Sequence, residues 1–144
     1  MGNVTLDQAS TIVDAALAKA GELGLRPLTV AVLDDGGNLK MFKRQDGPGA
    51  ALRPHIAIGK AWGAVGMGVP SRTLEQRALE RPYFVNALVG ASGGRLVPVA
   101  GGVLIRNAEG EIIGSVGVSG DTSDNDEACA IAGIEAAGLT ADAG

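Results

Sequence analysis

Apolar positions along this chain occur either at helical spacing or in short aliphatic runs, and the switches between the two mark its elements. Leu6, Ala9, Val13, Ala16, Leu17 and Ala20 recur at the three-and-four spacing of a helix with one buried side. Thr5-Leu6-Asp7-Gln8 ahead of them reads as a capping box, and Gly24 with Pro27 beyond supplies the stop. Leu28–Leu33 and Leu39–Lys43 are rich in aliphatic residues and flank Asp34-Asp35-Gly36-Gly37-Asn38, so they predict a β-hairpin. Gln45–Gly49 is a loop, and Pro54 opens a second helix that runs to about Val65. Gly59, Gly63 and Gly66 each weaken that helix by roughly 1 kcal/mol against Ala, so close packing or room for a ligand must compensate.

Beyond Val69-Pro70-Ser71 a polar helix covers Arg72–Glu80, Pro82 breaks it, and Tyr83–Val89 forms a short helical turn. Gly90–Gly94 is a flexible loop. Leu96–Val99, Val103–Arg106 and Glu111–Val118 predict three strands, the last two joined at Asn107-Ala108-Glu109-Gly110. Asp124–Ala137 closes the chain as a helix, with Asp124 as its cap and Glu127 at the third position. Gly138 ends that helix, and the tail Leu139–Gly144 is expected to fray. Two hairpins and mostly antiparallel strands predict one mixed α/β (α+β) domain over residues 1–144, a sheet flanked by helices.

Composition changes this picture in one respect. Hydrophobic residues make up 46% of the 144 positions, enough for a core, yet aromatics are 3% and glycines number 23. Small side chains bury little area, and burial contributes roughly 25 cal/mol per Å², so burial against further copies is expected and the chain reads as a homo-oligomer. A net charge of −4 without clustered Lys and Arg excludes nucleic acid as a partner. No apolar run is long enough for a bilayer, no secretory leader is visible, and the lone Cys129 offers no disulfide, so a cytoplasmic protein without membrane partners is expected.

The C-terminal half is the most distinctive stretch. Pro98-Val99-Ala100-Gly101-Gly102-Val103-Leu104-Ile105, then Glu111-Ile112-Ile113-Gly114-Ser115-Val116-Gly117-Val118-Ser119-Gly120, then Asp126-Glu127-Ala128 resembles the signature of the GlcG/HbpS-like family, which includes the C-terminal domain of PduO-type proteins. The Asp34–Arg44 hairpin, the Ile58–Ala61 segment with Lys60 and the Pro70-Ser71 break stand in family order. The resemblance implies a profilin-like fold, a five-stranded antiparallel sheet with helices on both faces, in frequent homo-oligomers. It implies a small-molecule ligand, with haem the candidate cofactor, since some members bind haem and some degrade it. A haem-binding member carries a histidine on its first helix; this chain has none there.

The residues able to carry chemistry are few. His55 is the single histidine, suited to ligate haem iron or another metal or to act as a general base. Helical spacing lines up His55, Gly59, Trp62 and Gly66, leaving space for a planar ligand between imidazole and indole; the plainer alternative makes His55 a helix-start residue and Trp62 core or interface. Lys60 points about 140° around the helix from His55, either as a carboxylate anchor or as a helix lysine reaching for solvent. Within Asp121–Glu127 the acids lack the glycine and closing glutamate of a calcium loop, so they read as a helix start; Glu127 alone is a candidate to face a pocket and pair with His55 or Lys60. Neither a P-loop nor a dinucleotide fingerprint is complete, and Cys129 lies among Ala and Ile as a buried thiol. Three functions remain open: a ligand-binding protein using His55, Gly59 and Trp62; an enzyme of proton transfer or isomerisation on a small organic acid, with His55, Lys60 and Glu127 as base, anchor and acid; or an accessory structural subunit.

Overall fold

In a computed structural model that describes residues 2–144, the order is α1 (Leu6–Leu23), β1 (Thr29–Asp34), β2 (Leu39–Arg44), α2 (Arg53–Met67), α3 (Ser71–Glu80), α4 (Pro82–Ala91), β3 (Gly102–Arg106), β4 (Ile112–Ser119), α5 (Ser123–Ala136) and β5 (Thr140–Asp142). The five strands form one antiparallel sheet in the order β2-β1-β4-β3-β5. Helices α1 and α5 cover one face and α2 the other, with α3 and α4 beyond α2, which is the α+β architecture expected.

Local chemistry explains the helix starts. The Thr5 hydroxyl accepts from the Gln8 amide at 3.1 Å and the Gln8 side chain accepts from the Thr5 amide at 2.9 Å, completing the capping box. At α5 the cap is Thr122, whose hydroxyl accepts from the Asn125 amide, rather than Asp124. The helix therefore begins two residues earlier than the acids suggested, and this shift changes which acid faces inward.

The sheet has two unlike faces. Val30, Val32, Val103, Ile105, Val116 and Val118 pack with Ile12, Val13, Cys129 and Ile134 in the principal core beneath α1 and α5. On the other face Ala31, Gly117 and Gly102 lie side by side in register across β1, β4 and β3. Helix α2 rests on this row, backbone against backbone. A methyl on Gly117 would stand 1.9 Å from the Ala57 carbonyl oxygen, and one on Gly102 2.3 Å from that of Lys60. The Ser115 hydroxyl donates to the Ala61 carbonyl at 2.7 Å, and Ser71 accepts from the Gly102 amide at the same distance.

Three expectations change. Residues 96–99 are no strand: the Val97 amide donates to the Gly59 carbonyl of α2, while buried Leu96 joins Leu74 and Val85 in a second apolar cluster. The fifth strand is the tail instead. Leu139, Ala141 and Ala143 pack on the principal core, Thr140–Asp142 pairs with β3, and Arg106 donates to Asp142 at 2.9 Å. Burial of alternate side chains ties down what composition alone marked as frayed. The short turn after Pro82 extends to a ten-residue helix, with proline in its first turn where no amide partner is needed.

Candidate functional site

Helix α2 carries the candidates on two sides. Ala57, Lys60, Ala61 and Ala64 form the buried side toward the sheet. His55 lies on the outer side, exposed, in the first turn of the helix. It stands in a cleft of about 340 Å³ lined by Leu52, His55, Ile56, Ile58, Gly59, Gly94, Arg95 and Val97. The cleft has aliphatic walls with one imidazole and one guanidinium residue among them, and its size falls within the ordinary range for small-molecule sites.

Gly59 positions the far wall. A methyl there would stand 2.4 Å from a Val97 methyl and 2.7 Å from the Arg95 carbonyl oxygen, so only glycine admits the 95–97 segment onto the helix. That segment fills part of the space expected between His55 and Trp62. The indole lines a neighbouring cleft of about 150 Å³ with Gly66, Met67, Leu88, Ala91, Ser92 and Leu96. Arg95 connects the two: its guanidinium lies 4.1 Å from the centre of the Trp62 ring, and its Nε donates to the Ser92 carbonyl at 3.0 Å.

Lys60 is 2% exposed and does not border the cleft. Its ammonium reaches the end of the sheet, donating to the Val118 carbonyl at 2.9 Å and to the Asp126 carboxylate at 3.3 Å. Asp126 uses its other oxygen to accept from the Asp121 amide at 2.9 Å. Burial pulls the Lys60 ammonium below its ordinary value and pushes the Asp126 carboxyl above its own, against their mutual attraction. The pair ties α2 to α5 past the C-terminal end of β4.

Glu127 meets neither His55 nor Lys60. It accepts from Arg72 Nε at 2.9 Å, and Asp124 accepts from the same guanidinium. The two acids hold the Arg72 guanidinium well above its ordinary value and fasten α3 to α5. With Thr122 as cap, Asp126 falls on the inward face with Cys129, Ala130 and Gly133, and Glu127 falls beside it. His55, Lys60 and Glu127 thus stand in three separate places, and the structure gathers His55, Gly59 and Arg95 instead. Among the described residues no group of three His, Cys, Asp or Glu side chains is arranged to hold a metal ion. Burial pushes the Cys129 thiol up to about 11, consistent with an unreactive core residue. No helix of the described residues is long and apolar enough to cross a membrane.

Sequence reasoning missed Asp126 and Arg95. Asp126 was legible, because Asp126, Cys129, Ala130 and Gly133 repeat the three-and-four spacing of a buried face. Arg95 had no such signal, since its place depends on how the 93–97 segment crosses α2.

Residues 4–135 match the family described as haem degrading protein HbpS-like. A 15.0 kDa protein from the dhaT-dhaS intergenic region of Citrobacter freundii is 30% identical over 127 residues, covering 88% of this chain and 86% of that protein. Among solved structures, HbpS superposes with a TM-score of 0.80 at 30% identity, covering 94% of this chain and 90% of that one. The PduOC:heme complex superposes with a TM-score of 0.85 at 23% identity, covering 97% of this chain and 99% of that one, a likeness of fold.

Proposed function

This chain belongs to the HbpS-like family, and from that premise we propose that it is a small-ligand-binding protein whose ligand is haem, held in the cleft beside His55. The observation that carries the reading is the placement of the chain's single histidine, exposed at an aliphatic cleft formed with Ile56, Ile58 and Val97. A neutral imidazole is a standard axial ligand of haem iron, and aliphatic walls favour a porphyrin plane over water. In this reading His55 supplies the iron ligand and Gly59 keeps the cleft's back wall close to the helix. Trp62 holds the adjoining cation. Haem bound there would supply the iron chemistry, and the chain's own residues would bind it, orient it and exclude water from one side.

The cleft is open on its outer side, and Leu52 at its lip is 64% exposed. A second copy of the chain is the occupant proposed for that side, in keeping with a homo-oligomer. A buried, unpaired thiol fits a reducing compartment, which supports placement in the cytoplasm.

The test is a hemin titration followed in the Soret region. The expected result is saturation at a fixed stoichiometry with a defined band, and a His55→Ala variant that changes the band and weakens binding at least about tenfold, the order expected when a charge-bearing or metal contact is lost. An unsaturable titration, or identical spectra and affinity in His55→Ala, would overturn the assignment.

A further inference from the structure

We propose that Arg95 is the carboxylate-binding group of the His55 cleft, so that the molecule it takes is planar and carries its carboxylates at the edge away from His55. The inference rests on the haem reading but concerns a different part of the ligand.

Arg95 is held ready before any ligand arrives. Gly93 and Gly94 adopt φ +68° and +83°, left-handed values that turn the chain from the end of α4 back across α2. Immediately after Arg95, Leu96 is buried, and its amide donates to the Ser92 hydroxyl at 3.0 Å. The Val97 amide then donates to Gly59 at 3.2 Å. On the other side the Gly94 amide donates to the Val89 carbonyl at 2.9 Å, so the Arg95 backbone is anchored before and after an exposed side chain.

The side chain is fixed as well. Its Nε is bound to the Ser92 carbonyl, and the guanidinium lies over the Trp62 ring. That ring has little freedom. A methyl on Gly37 would stand 3.1 Å from the indole nitrogen, and one on Gly66 3.2 Å from the opposite edge of the ring system. With Nε occupied and one face stacked, the terminal amines remain. No other hydrogen bond is made by this guanidinium among the described residues, and no carboxylate lies within 4.0 Å. Arg26, Arg72 and Arg106 each meet an aspartate and Arg53 is bound to two backbone carbonyls, whereas Arg44, Arg77 and Arg81 make no side-chain bond at all among the described residues; Arg95 alone of these is both held by a carbonyl and stacked on a ring with its terminal amines free. A pre-oriented guanidinium with free terminal amines is the arrangement that recognises a carboxylate with two parallel bonds.

Spacing supports the assignment. His55 and Trp62 are seven residues apart on α2, about 10 Å at 1.5 Å per residue, with Gly59 and the aliphatic wall between them. A flat ligand bound centrally through His55 meets Arg95 at its rim. The ligand class is therefore a planar molecule bearing a carboxylate at its rim rather than a neutral macrocycle.

The test uses iron-free protoporphyrin IX and its dimethyl ester, so that axial ligation plays no part, read by porphyrin absorbance and by the fluorescence of the single Trp62. The wild-type protein is expected to prefer the diacid by about tenfold or more, with quenching of Trp62. Arg95→Ala should remove the preference while leaving ester affinity unchanged, and Arg95→Lys should keep part of it. The Arg95→Ala thermal midpoint should stay within a few degrees of wild type, because only the Ser92 bond and the stacking on Trp62 are lost. Equal binding of both porphyrins by the wild type, binding of neither, or a preference that survives in Arg95→Ala would overturn the proposal. A diacid preference that persists while His55→Ala leaves the hemin spectrum unaltered would overturn axial ligation by His55 and uphold Arg95.

Discussion

Toward α1 and α5 the sheet presents Val30, Val32, Val103, Ile105, Val116 and Val118; toward α2 it presents Ala31, Gly117 and Gly102 at its centre, with Leu33, Ser115 and Leu104 in the next row. The first face is held by area. Each fully buried aliphatic side chain contributes roughly 1.5–3 kcal/mol, and the interface tolerates small changes because side chains adjust. The centre of the second face has little side-chain area to bury, its larger groups, Leu33 and Leu104, lying one row further along the strands. It is held by contact between backbones, by hydroxyl bonds from Ser115 and Ser71, and by the Lys60–Asp126 pair at its edge. The outer side of α2, which bears His55 and Gly59, is therefore set in place by a surface with almost no slack. The apolar face provides stability, and the glycine face provides position.

The sharpest way to break this contrast is to add one methyl to the glycine face. Gly117→Ala forces a carbon into the Ala57 carbonyl, and we expect a loss of about 4–5 kcal/mol or failure to fold, read as a lowered urea midpoint. Removing one methylene from the opposite face, Ile12→Val, should cost only about 1 kcal/mol. Similar costs for the two would mean that α2 can slide and that its position is not fixed by the glycine row.

The next effect concerns the pair at the edge. Asp126→Asn leaves a buried ammonium beside an amide, at a cost of about 3 kcal/mol. Adding Lys60→Met removes the stranded charge while the asparagine oxygen still accepts from the Asp121 amide, so most of the loss should return. A double variant no better than the single would show that the pair contributes net stability, contrary to the desolvation that dominates both partners.

The smallest effect distinguishes Asp121 from its neighbour Asp126. The Asn125 side chain, the Thr122 and Arg26 amides and the Arg26 side chain hold the Asp121 carboxyl well below its ordinary 3.8. A carboxyl lowered on folding adds stability that is fully present above its unfolded value and lost as pH falls toward the folded one. Stability should therefore decline below about pH 4, and Asp121→Asn should flatten that decline. An unchanged acid limb, measured by urea unfolding at stepped pH, would remove Asp121 from the account.

Much of this was legible in the chain. The capping box at Thr5, the Asp34–Asn38 turn and the aliphatic runs of β1 and β4 depend on neighbours in sequence, so pattern and propensity suffice for them. The extended residues 96–99 and the tail were misread for one reason: whether a short apolar run joins a sheet depends on which edge is free to receive it. Val97 found the backbone of α2 exposed at Gly59, and Thr140–Asp142 found the open edge of β3. Helical spacing placed His55 and Gly59 on one side of α2, where they line one cleft, whereas Lys60 was found without its partner because the cap of α5 sits at Thr122.

The sequence by itself therefore determined most of the elements, the antiparallel class, the glycine-bearing helix and the one imidazole it carries, since these follow from residues within a few positions of one another. Only the tertiary structure decided that Lys60 meets Asp126, that Glu127 meets Arg72, and that Arg95 lies on Trp62 beside the His55 cleft. Those contacts join segments dozens of residues apart, and they are set by how closely α2 can approach the sheet. That distance is a property of the packed backbone and is not encoded in any local pattern.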